Sequence, residues 1–139
     1  MGGMTMFYLN SHYPNLFAAT LYVSSQWDVE QLEKLKNQKF FYIASAGDQN
    51  ASTGQRNLMK MLKQDHQKYS QTTLDANLSP SEKNTAVNQL LDKNRQANFI
   101  TWKAGTVMKY SDKPIEHNAS FDFGYTIPSV RNWLFNQSK

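Results

Sequence analysis

The chain has 139 residues, of which 40% are hydrophobic, 13% aromatic and 19% charged. This composition is typical of a globular protein and excludes a disordered or collagen-like chain, and the length suits a single domain over residues 1–139. The absence of cysteine excludes disulfides, thiolate nucleophiles and cysteine-based zinc sites. Mean hydropathy is −0.67, and no apolar run approaches the roughly 20 residues of a membrane span.

The charge pattern argues against a nucleic-acid partner. Fifteen Lys and Arg against eleven Asp and Glu give a net charge of +4, but phosphate binding usually needs a basic stripe on one face. The densest cationic stretch, Lys34, Lys36 and Lys39, is interleaved with Glu30 and Glu33. Because those acids cancel much of the local field, we expect a solvated helix face there, and neither nucleic acid nor a membrane as a partner.

The first half of the chain alternates helical and strand patterns. Residues 4–13 predict a buried helix that Pro14 ends, and residues 17–23 predict an interior parallel strand because they are apolar on both faces. Apolar residues then recur at helical spacing after residue 29. Residues 40–46, Phe-Phe-Tyr-Ile-Ala-Ser-Ala, predict a second strand that stops at Gly47-Asp48.

The second half continues the alternation. Helical spacing extends over residues 58–69, and residues 70–78 are polar and turn-like. Ser79-Pro80-Ser81-Glu82 predicts a helix start, with Ser79 as the N-cap and Glu82 three residues after it. Residues 98–103 predict a third strand, followed by a polar loop that holds His117 and by a closing helix over residues 127–134. The sequence therefore predicts an α/β fold with a three-stranded, mostly parallel sheet flanked by helices.

Asp48 is the first candidate functional residue, because it directly follows the second strand. Functional groups of parallel sheets gather beyond the carboxyl ends of the strands. A carboxylate there can bind an imidazole and fix its tautomer. An ordinary helix cap or Asx-turn is the alternative interpretation, since Asp favours both.

His117, in the loop after the third strand, is the second candidate. Imidazole is the usual general base near neutral pH, although a surface histidine is the alternative. His12, which ends the first helix, and His66, on an amphipathic helix, are weaker candidates. The three histidines show no close metal-ligand spacing, so we expect no metal and no cofactor. No serine lies in a Gly-x-Ser-x-Gly elbow, so the chain offers no nucleophile of that type.

The two ends of the chain resemble the α/β-hydrolase superfamily. Residues 1–19, which run Met-Gly-Gly-Met-Thr through Tyr-Pro-Asn-Leu-Phe-Ala-Ala, are similar to the helix and strand that follow the nucleophile serine in its esterases. The most similar branch is that of secreted esterases and polyhydroxybutyrate depolymerases, with peptidase-like relatives. Residues 116–121 and 130–135 resemble the catalytic-histidine segment and the final helix of that branch.

This resemblance implies the C-terminal half of a serine carboxylic-ester hydrolase, whose last three strands would be the three predicted here. Asp48 matches the triad acid and His117 the triad base, in the order that hydrolases of this type use. The serine would lie immediately before Met1, whose N–H matches one oxyanion-hole donor. Trp27 could line an acyl pocket, or it could be an ordinary buried aromatic residue.

The resemblance also sets expectations for the isolated chain. Without the serine we expect little or no activity, and the substrate would be a small ester once the site is completed. The family suggests export, although no signal peptide opens these residues. The first strand would have an unpaired edge, which favours aggregation or a homodimer through that edge. The alternative is an α/β remnant or binding module that performs no reaction.

Overall fold

The computed structural model describes residues 1–139 and contains one sheet of four parallel strands. The strands are β1 (Thr20–Val23), β2 (Phe40–Ser45), β3 (Tyr69–Leu74) and β4 (Ala97–Trp102). Their spatial order is β1-β2-β4-β3, and all three pairings are parallel. The residues of β2 are all buried, as expected of an apolar strand in the interior of a parallel sheet.

Helices cover both faces of the sheet. They are α1 (Gly2–His12), α2 (Gln49–Gln64), α3 (Pro80–Leu91), α4 (Glu116–Gly124) and α5 (Pro128–Phe135). Apolar side chains of α1 and α2 pack on one face, which Tyr22, Tyr42 and Phe99 line. Those of α3, α4 and α5 pack on the other, which Phe41, Ile100 and Trp102 line. None of the helices is long and apolar enough to span a membrane.

The α/β class with a parallel sheet flanked by helices is thus confirmed, but the sheet has four strands and not three. The additional strand is β3, within a stretch that the sequence predicts as polar and turn-like. It is an edge strand, and Gln71 and Thr73 are exposed while Ser70 and Leu74 are buried. Polar residues on the exposed face of an edge strand leave little apolar signal in the sequence.

Three local predictions are also corrected. The strand that the sequence predicts as interior over residues 17–23 is β1, which covers only Thr20–Val23 and lies at one side of the sheet with a single neighbour. His117 does not lie in a loop, because α4 begins at Glu116 and places His117 in its first turn. The helical spacing after residue 29 forms two short 3-10 helices, Val29–Gln31 and Glu33–Asn37. In contrast, the predicted start of α3 is confirmed, since Ser79 caps the helix and forms a reciprocal capping box with Glu82.

The strand order decides which loops meet. Strand β4 lies between β2 and β3, so the carboxyl ends of β2 and β4 are neighbours although β3 separates them along the chain. The segment that follows β2 contains Asp48, and the segment that follows β4 leads to α4 and His117. Because parallel strands all end at the same edge of a sheet, the topology brings these two segments together.

Candidate functional site

Asp48 occupies the turn between β2 and α2 and uses its two carboxylate oxygens for different partners. Oδ1 accepts a hydrogen bond from the backbone N–H of Ala51 at 3.3 Å, which caps α2. Oδ2 lies 2.6 Å from Nδ1 of His117. The side chain is only 5% exposed. The capping interpretation and the imidazole-binding interpretation of this residue are therefore both correct, one for each oxygen.

His117 presents the opposite side of its ring to solvent. Nδ1 is the atom that faces Asp48. Since a carboxylate only accepts hydrogen bonds, Nδ1 bears the ring proton and donates a hydrogen bond to Asp48, which leaves Nε2 as an acceptor in the neutral ring. No protein group bonds to Nε2, and the side chain is 42% exposed. Phe121, one turn further along α4, packs edge-on against the ring at 5.1 Å between centroids. A buried acid, an oriented imidazole and a free Nε2 are what general-base catalysis requires.

Side chains of α4 attach this helix to the ends of three strands. Ser120 Oγ donates to the backbone oxygen of His117 at 2.7 Å and lies 2.5 Å from the hydroxyl of Ser24. Ser24, directly after β1, is buried and has a φ of 51°, an uncommon backbone conformation for a serine. On the other side, Glu116 contacts Ser45 at the end of β2 and Gly105 after β4. The first turns of α4 are therefore held from both sides.

A buried tyrosine lies beneath the turn that contains Asp48. The Tyr42 hydroxyl donates to the backbone oxygen of Ser25 and also lies 3.3 Å from that of Ala51. Burial is the main cause that raises the pKa of Tyr42 well above its usual range, and the nearby charge of Asp48 raises it further. Both causes favour the protonated hydroxyl, which is the form that donates to the Ser25 oxygen.

The first turn of α1 lies at the carboxyl ends of the strands, on the same side of the sheet as Asp48 and His117. A Cβ placed on Gly3 would be 2.7 Å from Ser25 Oγ, so α1 begins against the residues that follow β1. Met1 itself is 94% exposed and contacts neither Asp48 nor His117 through a hydrogen bond. The Ser25 hydroxyl is buried and has no hydrogen-bond partner.

Trp27 does not contact the Asp48–His117 pair. Its Nε1 donates to Gln31 Oε1 at 3.0 Å, and its ring meets that of Tyr8 edge-on. The side chain is half-buried against the apolar cluster under α1. Of the residues that the sequence singles out, the structure joins Asp48 to His117 and leaves Trp27 and Met1 apart from them.

The other two histidines lie elsewhere. His12 is in the last turn of α1, with Nδ1 2.9 Å from the backbone oxygen of Tyr8. His66 lies past the end of α2, is exposed and has a φ of 57°, so it is not on the helix as the sequence predicts. No group of three His, Asp or Glu side chains is placed to share a metal ion.

Comparison of the chain with protein-family models, with curated proteins and with solved structures gave no match. The similarity to α/β-hydrolase esterases therefore stays a prediction.

Sequence reasoning missed the residues that hold α4 in place, namely Glu116, Ser120 and Ser24. Glu116 carries one local signal, its position directly before a candidate catalytic histidine. Its partners Ser45 and Gly105 are 71 and 11 positions away, and no periodic pattern in the sequence predicts contacts at such separations. Only the strand order brings these three segments together.

Proposed function

We propose that Asp48 and His117 are the acid and the general base of a hydrolase that acts on carboxylic esters. The nucleophilic serine would come from outside these 139 residues. One observation carries the proposal: Asp48 Oδ2 lies 2.6 Å from His117 Nδ1, at the carboxyl edge of a parallel sheet, while Nε2 has no partner. This is the arrangement that a serine hydrolase uses to activate its nucleophile.

The chemistry would proceed as follows. As the serine oxygen bonds to the ester carbonyl, Nε2 of His117 takes the hydroxyl proton, and Asp48 stabilises the imidazolium that forms. His117 then returns this proton to the departing alcohol, and an acyl-enzyme is left. In the second half, Nε2 takes a proton from water as the water oxygen bonds to the acyl carbon. The bond from this carbon to the serine oxygen then breaks, Nε2 returns the proton to that oxygen, and the carboxylic acid is released.

The position of α1 supports the same interpretation. The resemblance of residues 1–19 to the segment that follows the nucleophile places the serine immediately before Met1. The first turn of α1 lies at the edge of the sheet where Asp48 and His117 meet, as its contact with Ser25 indicates. Backbone N–H groups at a helix N-terminus favour a developing oxyanion, so the N–H of Met1 would act as one donor of the oxyanion hole.

A specific observation favours a second candidate, an α/β module that performs no reaction. Nε2 of His117 contacts no serine or threonine hydroxyl within the chain, and the Asp48 carboxylate also caps α2, which is a structural role. On this alternative the pair of residues stabilises the fold by joining α4 to the end of β2.

An extended chain would distinguish the two candidates. We would add an apolar strand ending in Gly-Xaa-Ser directly before Met1, and use the same extension with alanine in place of that serine as the matched control. The hydrolase proposal expects a fluorophosphonate to label the serine, and p-nitrophenyl acetate hydrolysis to fall by at least about 100-fold with His117→Ala. The 139-residue chain alone should hydrolyse this ester no faster than its His117→Ala variant.

Two results would contradict the proposal. The first is a folded, extended chain whose serine is not labelled. The second is labelling of equal rate with and without His117, since the serine would then react without a general base. Either result would leave the second candidate, the module without catalysis.

A further inference from the structure

We propose that Glu116 is a positioning residue that fixes the first turn of α4, and through it the imidazole of His117 against Asp48. The catalytic meaning of this role rests on the proposed function, whereas the contact geometry and its test do not.

A single carboxylate oxygen of Glu116 joins three segments. Oε1 accepts a hydrogen bond from the hydroxyl of Ser45, the last residue of β2, and one of 2.9 Å from the backbone N–H of Gly105. Ser45 is completely buried, and Gly105 follows β4 with a φ of 79°. The ends of the two central strands are therefore tied to the residue that begins α4.

Glu116 makes a second connection between the segment that follows β2 and the first turn of α4, in addition to the contact between Asp48 and His117. Ser45 and Asp48 lie on one segment and bind Glu116 and His117, respectively, on the other. The N-cap residue of α4, Ile115, makes no side-chain capping bond, so a cap does not fix this first turn. The Glu116 bridge supplies the constraint that a cap would otherwise provide.

Gly47 is part of the same arrangement. A Cβ at this position would overlap the carboxylate of Glu116. Gly47 does not have a positive φ, so an added Cβ would act mainly by displacing the flexible end of the Glu116 side chain. Gly47→Ala is therefore a way to displace the Glu116 carboxylate without changing Glu116 itself.

The charge of Glu116 is not what this role uses. Ion pairs in the protein join Lys36 to Glu33, Lys113 to Asp122 and His117 to Asp48, and none involves Glu116. Its partners are a hydroxyl and a backbone amide, and both donate to the same oxygen. An amide oxygen can also accept two bonds, although weaker ones than a carboxylate accepts, so glutamine should keep the arrangement.

The test is NMR of the histidine rings in the 139-residue chain. Long-range ¹H–¹⁵N spectra report which ring nitrogen carries the proton. We expect His117 to be protonated at Nδ1 in the parent chain and in Glu116→Gln, and to lose this preference in Glu116→Ala and in Gly47→Ala. His12 and His66 are internal references that should not change.

A matched control separates positioning from stability. Glu82 forms the capping box of α3 and is exposed, so Glu82→Ala weakens the fold without touching α4. A shift of the His117 signal in Glu116→Ala and Gly47→Ala, but not in Glu82→Ala, supports the proposal. An unchanged Nδ1–H signal in folded Gly47→Ala or Glu116→Ala overturns it, and so does a Glu116→Gln variant that behaves like Glu116→Ala.

The NMR test and the hydrolase test can give opposite outcomes, so failure of one proposal is distinguishable from failure of the other. If the extended chain is inactive while the His117 signal depends on Glu116, the hydrolase proposal is wrong and the positioning role stands. If the extended chain hydrolyses esters while the signal is indifferent to Glu116, the positioning role is wrong and the hydrolase proposal stands.

Discussion

Asp48 and His117 are 69 positions apart in the chain, yet Oδ2 of the first lies 2.6 Å from Nδ1 of the second. The sheet order brings them together, because β4 is inserted next to β2. Asp48 is buried while His117 is half-exposed, so the acid is shielded from water and the Nε2 side of the ring is open to solvent.

The first prediction uses the two separate roles of the Asp48 oxygens. In Asp48→Asn the amide oxygen can still cap α2, but the amide group donates to Nδ1 of His117 in place of accepting from it. The ring proton should therefore move to Nε2, which is the wrong tautomer for a general base. Stability should fall by less than about 1 kcal/mol, because asparagine is as good an N-cap as aspartate. NMR of the His117 ring and urea unfolding check both expectations.

Asp48→Ala is the matched comparison, because it removes the cap as well as the imidazole partner. We expect an additional loss of about 1 kcal/mol relative to Asp48→Asn. Equal unfolding free energies for the two variants would show that the contact with Ala51 contributes nothing. An Nδ1–H tautomer in Asp48→Asn would show that the carboxylate does not orient the ring.

The second prediction concerns Ser79, whose capping box with Glu82 is present as the sequence indicates. Ser79→Ala removes the acceptor for the N–H of Glu82, which lies 3.1 Å from the hydroxyl. Helix α3 should lose about 1 kcal/mol of stability, which urea unfolding measures. A loss within experimental error would mean that the first turn of α3 is held by its packing alone.

The parts of this protein that follow local rules can be predicted from the sequence. Apolar runs identify β1, β2 and β4, and the capping motif at Ser79 identifies the start of α3. Asp48 stands out because it follows an apolar strand directly. The pairing of Asp48 with His117 needs two further assumptions, that the strands before them are parallel and that these strands are neighbours in the sheet.

Other parts could not be predicted because their stability comes from tertiary contacts. Strand β3 exposes Gln71 and Thr73, so its sequence is mostly polar and resembles that of a turn. Helix α4 has no capping side chain, and the bonds of Glu116 and Ser120 to distant strand ends hold it in place. Such contacts depend on the strand order, which local patterns in a single sequence do not determine.

The third prediction is a loss of stability at alkaline pH. Burial raises the pKa of Tyr42 and of Tyr22 well above their usual range. In the unfolded chain a tyrosine loses its proton near pH 10, whereas in the folded protein these two must keep theirs. The stabilisation that they provide is therefore complete below about pH 10 and is lost as the pH rises further, by up to roughly 1.4 kcal/mol per pH unit for each residue.

Tyr42→Phe tests this linkage. At pH 7 the variant should be less stable by about 1 kcal/mol, because the hydrogen bond to the Ser25 carbonyl is lost. Above pH 10 its unfolding free energy should fall less steeply than that of the parent chain, so the two curves converge. Urea unfolding at a series of pH values measures both effects. Parallel curves above pH 10 would show that Tyr42 does not contribute to the alkaline transition.

The fourth prediction concerns the open edge of the sheet at β1. This strand has a partner on one side only, β2, and the N–H groups of Thr20 and Ser24 point toward that partner. By the two-residue period of a strand, the N–H of Leu21 points outward. Leu16 and Phe17, just before the strand, are exposed by 46% and 40%. An unpaired edge next to exposed apolar side chains favours pairing with a second copy.

We therefore expect the 139-residue chain to form dimers or larger species as its concentration rises, as measured by sedimentation velocity. Leu21→Pro removes the outward N–H without affecting the pairing with β2 and should weaken the association, since proline is tolerated at strand edges. Leu21→Ala is the matched control, because it removes the same side chain but keeps the N–H. If both variants associate equally, the contact between copies uses another surface. A parent chain that stays monomeric at every concentration would show that the open side of β1 does not mediate association.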